Sequence, residues 1–191
     1  MSYLVEVTWE QILAGMIAEL TPVLNVDGTD PTKYLRQLDV YVGQFEGEEG
    51  MVQGGIAGRT PAVLVDLAGE KSLHSTVARN FDHVEGTFLA ICATDVHRTR
   101  KDRERLFAVM RDVRRRLGGR RLGLQISGLR YDGLVVVAER PQLLAYGVKF
   151  TTRYHVDLTR STSNDLLLET TGTITNTDEP PKTIGGLDQT F

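Results

Sequence analysis

A chain of 191 residues, 41% hydrophobic and 25% charged, has the size and balance of one globular domain with a sizeable core, or of one domain plus an arm. Its longest apolar runs, such as Leu134 to Ala138, are far too short to cross a bilayer, the opening MSYLVEVTWE has neither the basic nor the apolar region of a secretory signal, and the single cysteine, Cys92, excludes an intrachain disulfide and fits a reducing compartment. The net charge of −3 hides a separation: residues 98–121 hold eleven basic and three acidic side chains, a net of +8, which leaves −11 on the other 167 residues.

The first element is a helix from about Thr8 to Leu20. Thr8 and Gln11 have the spacing of a capping box. Trp9, Ile12, Leu13, Met16, Ile17 and Leu20 then recur at steps of three and four, an apolar stripe that belongs on a core. Pro22 stops the helix. Asn25 to Pro31 (NVDGTDP) is turn chemistry. Leu35, Leu38, Val40 and Val42 suggest a strand over 35–42. Residues 43–58, rich in glycine and glutamate, form a long loop suited to ordering by a partner. Pro61 to Leu67 is a short apolar strand, and 69–82 reads as a polar loop.

Val84 to Thr94 is a strand with apolar residues on both faces: Phe88, Ala90 and Cys92 on one, Leu89, Ile91 and Ala93 on the other. This pattern predicts a central strand covered on each side. The basic helix follows, with Leu106, Val109, Met110, Val113 and Leu117 on one side and Gly118-Gly119 as its C-terminal cap. Leu129–Asp132, Leu134–Glu139 and Leu143–Leu158 read as a closing antiparallel group of three strands. Asp132-Gly133 is the best hairpin signal in the chain. The last strand alternates cleanly, with Tyr146, Val148, Phe150, Thr152, Tyr154, Val156 and Leu158 on one face. Its polar face looks to water or to another subunit.

After Leu158 the composition changes. Residues 159–191 are threonine-rich and cannot bury enough surface to fold alone. They read as an extended arm in which Leu166, Leu167 and Leu168 could anchor on a neighbour or add a strand to an open sheet edge. The expected organisation is thus an α/β (α+β) domain over 1–158 and a C-terminal arm over 159–191. Its core is a mixed, largely antiparallel sheet flanked by two main helices.

No constellation for catalysis emerges. Gly69-Glu70-Lys71-Ser72 superficially follows the phosphate-loop pattern, but Glu70 interrupts the glycine–lysine pair and would repel phosphate. His74, His83, His97 and His155 show no metal-ligand spacing among themselves, and Asp95 with His97 lacks a third ligand. Cys92, set between Ile91 and Ala93, has the surroundings of a small buried hydrophobe rather than of a thiolate. The expectation is no enzyme, no cofactor and no metal.

The basic helix admits three readings. Arg100, Arg103, Arg111 and Arg114 project along one flank with Phe107 among them, which could track phosphates with an aromatic platform. Lys101, Arg105 and Arg116 line the other flank, where Asp112 can pair with Arg116 at i, i+4. The charges can therefore be a locally paired, solvated face, or they can meet the acidic remainder of a neighbouring copy. No base-reading motif or zinc finger accompanies them.

Four phrases carry a family likeness. They are the N-terminal helix WEQILAGMIAEL, the strand phrase TPAVLVDLAGE, the helix and following turn LFAVMRDVRRRLGGRRLG, and the ending ERPQLLAYGVKFTTRYHVDL. On these, Trp9 to Leu158 resembles the tail-terminator (tail-completion) proteins of Mu-like tailed phages and prophages. The resemblance implies a structural virion protein that assembles in the host cytoplasm into a homo-oligomeric, six-membered ring. That ring would cap the tail tube, stop its polymerisation and present a surface to the neck proteins of the head. Its partners would be sibling copies, tube and possibly sheath proteins, and neck or head-completion proteins. No membrane is implied, and DNA only as it passes through the ring. Arg100, Arg103, Arg111, Arg114 and Arg115 become candidates for the subunit interface or the lumen. The Asn25–Pro31 stretch and the threonine-rich tail depart from the family pattern. A neck connector, or a nucleic-acid-binding module built on helix 98–121, is the alternative.

Overall fold

The computed structural model describes residues 5–43, 59–73, 81–95, 100–140 and 143–157. The chain divides into two units, Met1–Leu158 and Thr159–Phe191; the second, with the arm expected there, lies outside the described residues, as does most of the 43–58 loop. The elements are α1 (Trp9–Leu20), a single 3-10 turn (Thr21–Val23), β1 (Gln37–Val40), β2 (Ala62–Ser72), β3 (Phe81–Asp95), α2 (Arg100–Leu117), β4 (Arg130–Arg140) and β5 (Leu143–Asp157).

The capping box forms as its spacing predicts. The Gln11 N–H donates to Thr8 Oγ1 at 3.4 Å, and the Thr8 N–H donates to Gln11 Oε1 at 3.1 Å. Ile12, Leu13, Met16 and Leu20 are buried, whereas Trp9, expected in the same stripe, is 40% exposed. Its first-turn position leaves its ring beyond the core. In α2 every apolar residue of the expected stripe (Leu106, Val109, Met110, Val113 and Leu117) is buried. The helix stops at Gly118-Gly119, and Gly119 takes the left-handed conformation (φ 77°) that ends helices and that glycine adopts without strain.

The strands form one mixed sheet in the order β1-β2-β3-β5-β4. β1 and β2 are parallel, and every other neighbouring pair is antiparallel. β3 is the central strand, as its two apolar faces imply. Both helices pack on the same face of the sheet. That core joins their stripes to Val63 and Val65 of β2, Phe88, Ala90 and Cys92 of β3, and Leu144, Val148, Phe150 and Tyr154 of β5. A smaller cluster (Ala62, Leu64, Ile91, Ala93, Ala138, Leu143 and Ala145) lies on the opposite face. The fold is therefore α+β, a mixed sheet with its two main helices.

Two expectations need correction. The polar run after Leu67 is strand as far as Ser72, because a bulge between Leu67 and Gly69 shifts the alternation and residues 69–72 then pair with Thr87–Val84. Backbone pairing there overrides weak strand propensity. The closing group has two strands rather than three. Asp132-Gly133 is no hairpin turn but a bulge inside a continuous β4, between Tyr131 (opposite Phe150) and Leu134 (opposite Val148). Gly133 supplies the φ of 112° that the bulge requires. Lys149 Nζ, 2.8 Å from Asp132 Oδ2, holds the bulge against β5.

Candidate functional site

The arginines of α2 separate by flank as helical spacing predicts. On one flank Arg103 Nη2 lies 3.9 Å from Glu139 Oε1 of β4. Phe107 meets Tyr146 of β5 with ring centroids 6.3 Å apart. The Arg114 guanidinium carbon sits 3.9 Å above the ring of Tyr131, a cation–π contact. This flank therefore overlooks β4 and β5. The backbone of Arg100 opens α2, but its side chain lies outside the described residues.

On the other flank Asp112 is a hub. Its carboxylate accepts from Tyr34 Oη at 2.5 Å and Arg116 Nε at 2.7 Å, and it pairs with Arg115. Burial pushes the Asp112 carboxyl up, but the hydrogen bonds from Tyr34, Arg116 and Arg115 outweigh it, and the group stays below the usual carboxylate range. Burial, and then the adjacent carboxylate, push the Tyr34 phenol well above its ordinary value. The hub thus ties the segment entering β1 to α2. Farther along, Arg120 Nε approaches Glu19 of α1 at 3.8 Å. Much of the cationic charge is accordingly paired. Among the described residues Arg105, Arg111 and Arg121 are exposed without an ion pair.

Of the five arginines singled out as interface or lumen candidates, Arg103 and Arg114 share the flank above β4, and helical spacing puts Arg111 beside them. Arg115 belongs instead to the Asp112 hub.

Beside that flank lies the feature whose importance sequence patterning did not convey. β4 is an edge strand, and at its centre Leu134, Val135 and Val136 are 54%, 41% and 56% exposed. Register places Leu134 and Val136 on the helix-bearing face, opposite Val148 and Tyr146, and Val135 on the other, opposite Gly147. With Phe107 at 50% exposure, they make an apolar strip rimmed by Arg103, Arg111 and Arg114. The apolar run was visible in the sequence, but its place at an open edge depends on strand order.

The other chemistry-bearing residues fall as follows. Cys92 is fully buried, and burial alone pushes its thiol far above the ordinary range, which makes it unreactive. Glu70 lies in β2 rather than in a phosphate loop, and it accepts a hydrogen bond from Tyr154. The β3–β5 register stacks His83 on His155 with centroids 4.7 Å apart, a juxtaposition of residues 72 positions apart that no spacing rule could reveal. Among the described residues no group of three or more His, Cys, Asp or Glu is placed to hold a metal ion. The Asp95 side chain and His97 lie outside them. No protein-family model matches the chain, and comparison with curated proteins gives no significant match.

Proposed function

We propose that this protein is a structural component of a phage virion: a tail terminator whose copies close into a hexameric ring that caps one end of the tail tube. The observation that carries the reading is the exposed surface formed by the α2 flank and the β4 edge. There an apolar strip adjoins Arg103, Arg111 and Arg114, of which Arg111 has no partner among the described residues, on a chain whose residues outside 98–121 carry a net −11. A cationic face on an otherwise acidic subunit favours head-to-tail contacts, and these close into rings when the rotation permits. The likeness of the α1, β2, α2 and β5 phrases to tail-terminator proteins supplies the biological setting. It is an analogy of sequence pattern and carries no residue roles with it.

On this reading the ring caps the tail tube, ends its growth and offers its far side to neck proteins. The test is a polymerisation assay with the cognate tube protein, read by electron microscopy. Added protein should arrest tubes and leave a ring at one end, whereas undiminished tube growth with bare ends would overturn the proposal. Charge reversal at Arg111 and Arg114 should shift the oligomer size in light scattering; an unchanged assembly would remove these residues from the interface.

Nucleic-acid binding is the rival that the unpaired Arg105, Arg111 and Arg121 favour. Against it, Arg103, Arg114, Arg115, Arg116 and Arg120 already engage partners within the fold, which breaks up a continuous phosphate track. Duplex affinity at low salt that falls steeply as salt is added would support the rival.

A further inference from the structure

We infer that the outer edge of β4 receives, as an added strand, the segment around Asp165–Glu169 of a neighbouring copy. The inference deepens the assembly reading above and relies on it for the presence of that neighbour. Residues 158–191 lie outside the described residues, and only their sequence is used.

β4 is 11 residues long and stands at the edge of the sheet. Open edges are templates for another strand, and proteins usually guard them with charges, bulges or a cover. Here, among the described residues, the guards flank a short central stretch: Arg130 and the Asp132-Gly133 bulge on one side, and a second bulge between Val136 and Ala138, then Glu139 and Arg140, on the other. The centre, Leu134-Val135-Val136, has none, and all three side chains are substantially exposed. A strand added there would gain main-chain hydrogen bonds along the edge, with alternate side chains setting its specificity.

The segment 159–191 contains a matching sequence. Leu166, Leu167 and Leu168 form an apolar triple of the same length, bounded by Asp165 and Glu169. In an extended strand Leu166 and Leu168 share one face and Leu167 the other. Leu166 and Leu168 then cover Leu134, Val136 and Phe107, while Leu167 covers Val135. Asp165 and Glu169 fall on the face of Leu167, where register puts Arg130 and Arg140 at the two ends of β4. Charge agrees as well: residues 159–191 hold five acidic and two basic side chains, opposite in sign to the Arg103, Arg111 and Arg114 rim.

Delivery to a neighbour follows from where β5 ends. β5 passes the first residue of β4 at Thr151, opposite Arg130, and runs on to Asp157 beside Phe81 of β3. At Asp157 the chain is thus directed past the end of β4, away from the centre of that edge. Each copy gives one segment and receives one, a heterologous contact that can close into a ring.

The test uses two full-length variants in sedimentation velocity. Val136→Lys disables the edge, and Leu167→Asp disables the donated segment. Val136 is 56% exposed, so the Lys variant should keep its melting temperature, and a melt of the Leu167→Asp variant checks that its fold is intact. Each variant alone should lose self-association by about 10-fold or more, as expected for a central apolar contact. Mixed, they should form a one-to-one dimer, since one copy still has a good edge and the other a good segment. Variants that assemble like the wild type would overturn the strand exchange and leave the ring reading standing. Weakened variants that fail to complement would overturn delivery between copies. A wild type that assembles through this contact into open chains would support the exchange and refute the ring. A wild type monomeric at every concentration would overturn both.

Discussion

The hydrogen bond from Tyr34 to Asp112 is the most informative single contact to break, because it fastens the segment entering β1 to the helix that carries the arginines. Tyr34 Oη and Asp112 Oδ2 are 2.5 Å apart in a part-buried site, and the Asp112 side chain is only 14% exposed. A hydrogen bond to a charged acceptor contributes about 1.5–3 kcal/mol, and the half-buried setting favours the low end, about 1.5 kcal/mol. Arg116 adds about 0.5 kcal/mol and the largely exposed Arg115 next to nothing. Asp112→Ala should therefore cost about 2 kcal/mol and Tyr34→Phe about 1.5 kcal/mol. The double variant should cost about 2 kcal/mol rather than their sum, a coupling of about 1.5 kcal/mol. Urea unfolding followed by circular dichroism measures all four corners of the cycle. The carboxyl of Asp112 is held below its ordinary value, so its contribution is fully present above the unfolded carboxylate value. It is lost as pH falls through the lower folded value. The coupling should accordingly vanish in strong acid. A coupling below about 0.3 kcal/mol at neutral pH, within the additivity of independent sites, would refute the reasoning.

Three further outcomes are expected. Gly86→Ala should destabilise the fold by about 1–3 kcal/mol through overpacking, because its Cβ would sit 2.7 Å from Phe88 Cε2 and 2.9 Å from Tyr154 Cε1; a neutral effect in thermal melts would show that these rings move aside. Phe150→Ala removes a fully buried ring from between the helices and the sheet, and denaturant titration should show a loss of about 3–5 kcal/mol. Tyr34 and Tyr154 both have phenols raised by burial first and then by the carboxylate each donates to. Their contribution is complete below the ordinary tyrosine value of about 10 and is lost as pH rises toward the folded values. Wild-type stability should therefore fall above about pH 10, and the Tyr34→Phe/Tyr154→Phe variant should fall less steeply in pH-dependent unfolding.

What the sequence made legible was local periodicity. The stripe of α2, the two faces of β3 and the long alternation of β5 all read correctly because each is set by residues three, four or two positions apart. Gly133 misled for a physical reason: a left-handed glycine after aspartate suits a hairpin turn and a bulge equally, and only the partner strand decides between them. Glu70 and Lys71 looked like loop because they are polar, yet pairing with β3 makes them strand. The surface proposed for assembly was the least legible. Leu134, Val135 and Val136 read as ordinary strand residues, and their exposure follows from β4 being outermost. Arg103 and Glu139, Arg114 and Tyr131, and Tyr34 and Asp112 are likewise pairs made by tertiary packing across long separations.

The central claim is that this polypeptide works by joining copies of itself, and native mass spectrometry of the full chain tests it most directly. The account predicts a closed species of six times the 21.2 kDa chain mass, giving way to smaller forms when Arg111 and Arg114 are reversed in charge. A single species at 21.2 kDa across all protein concentrations would contradict it.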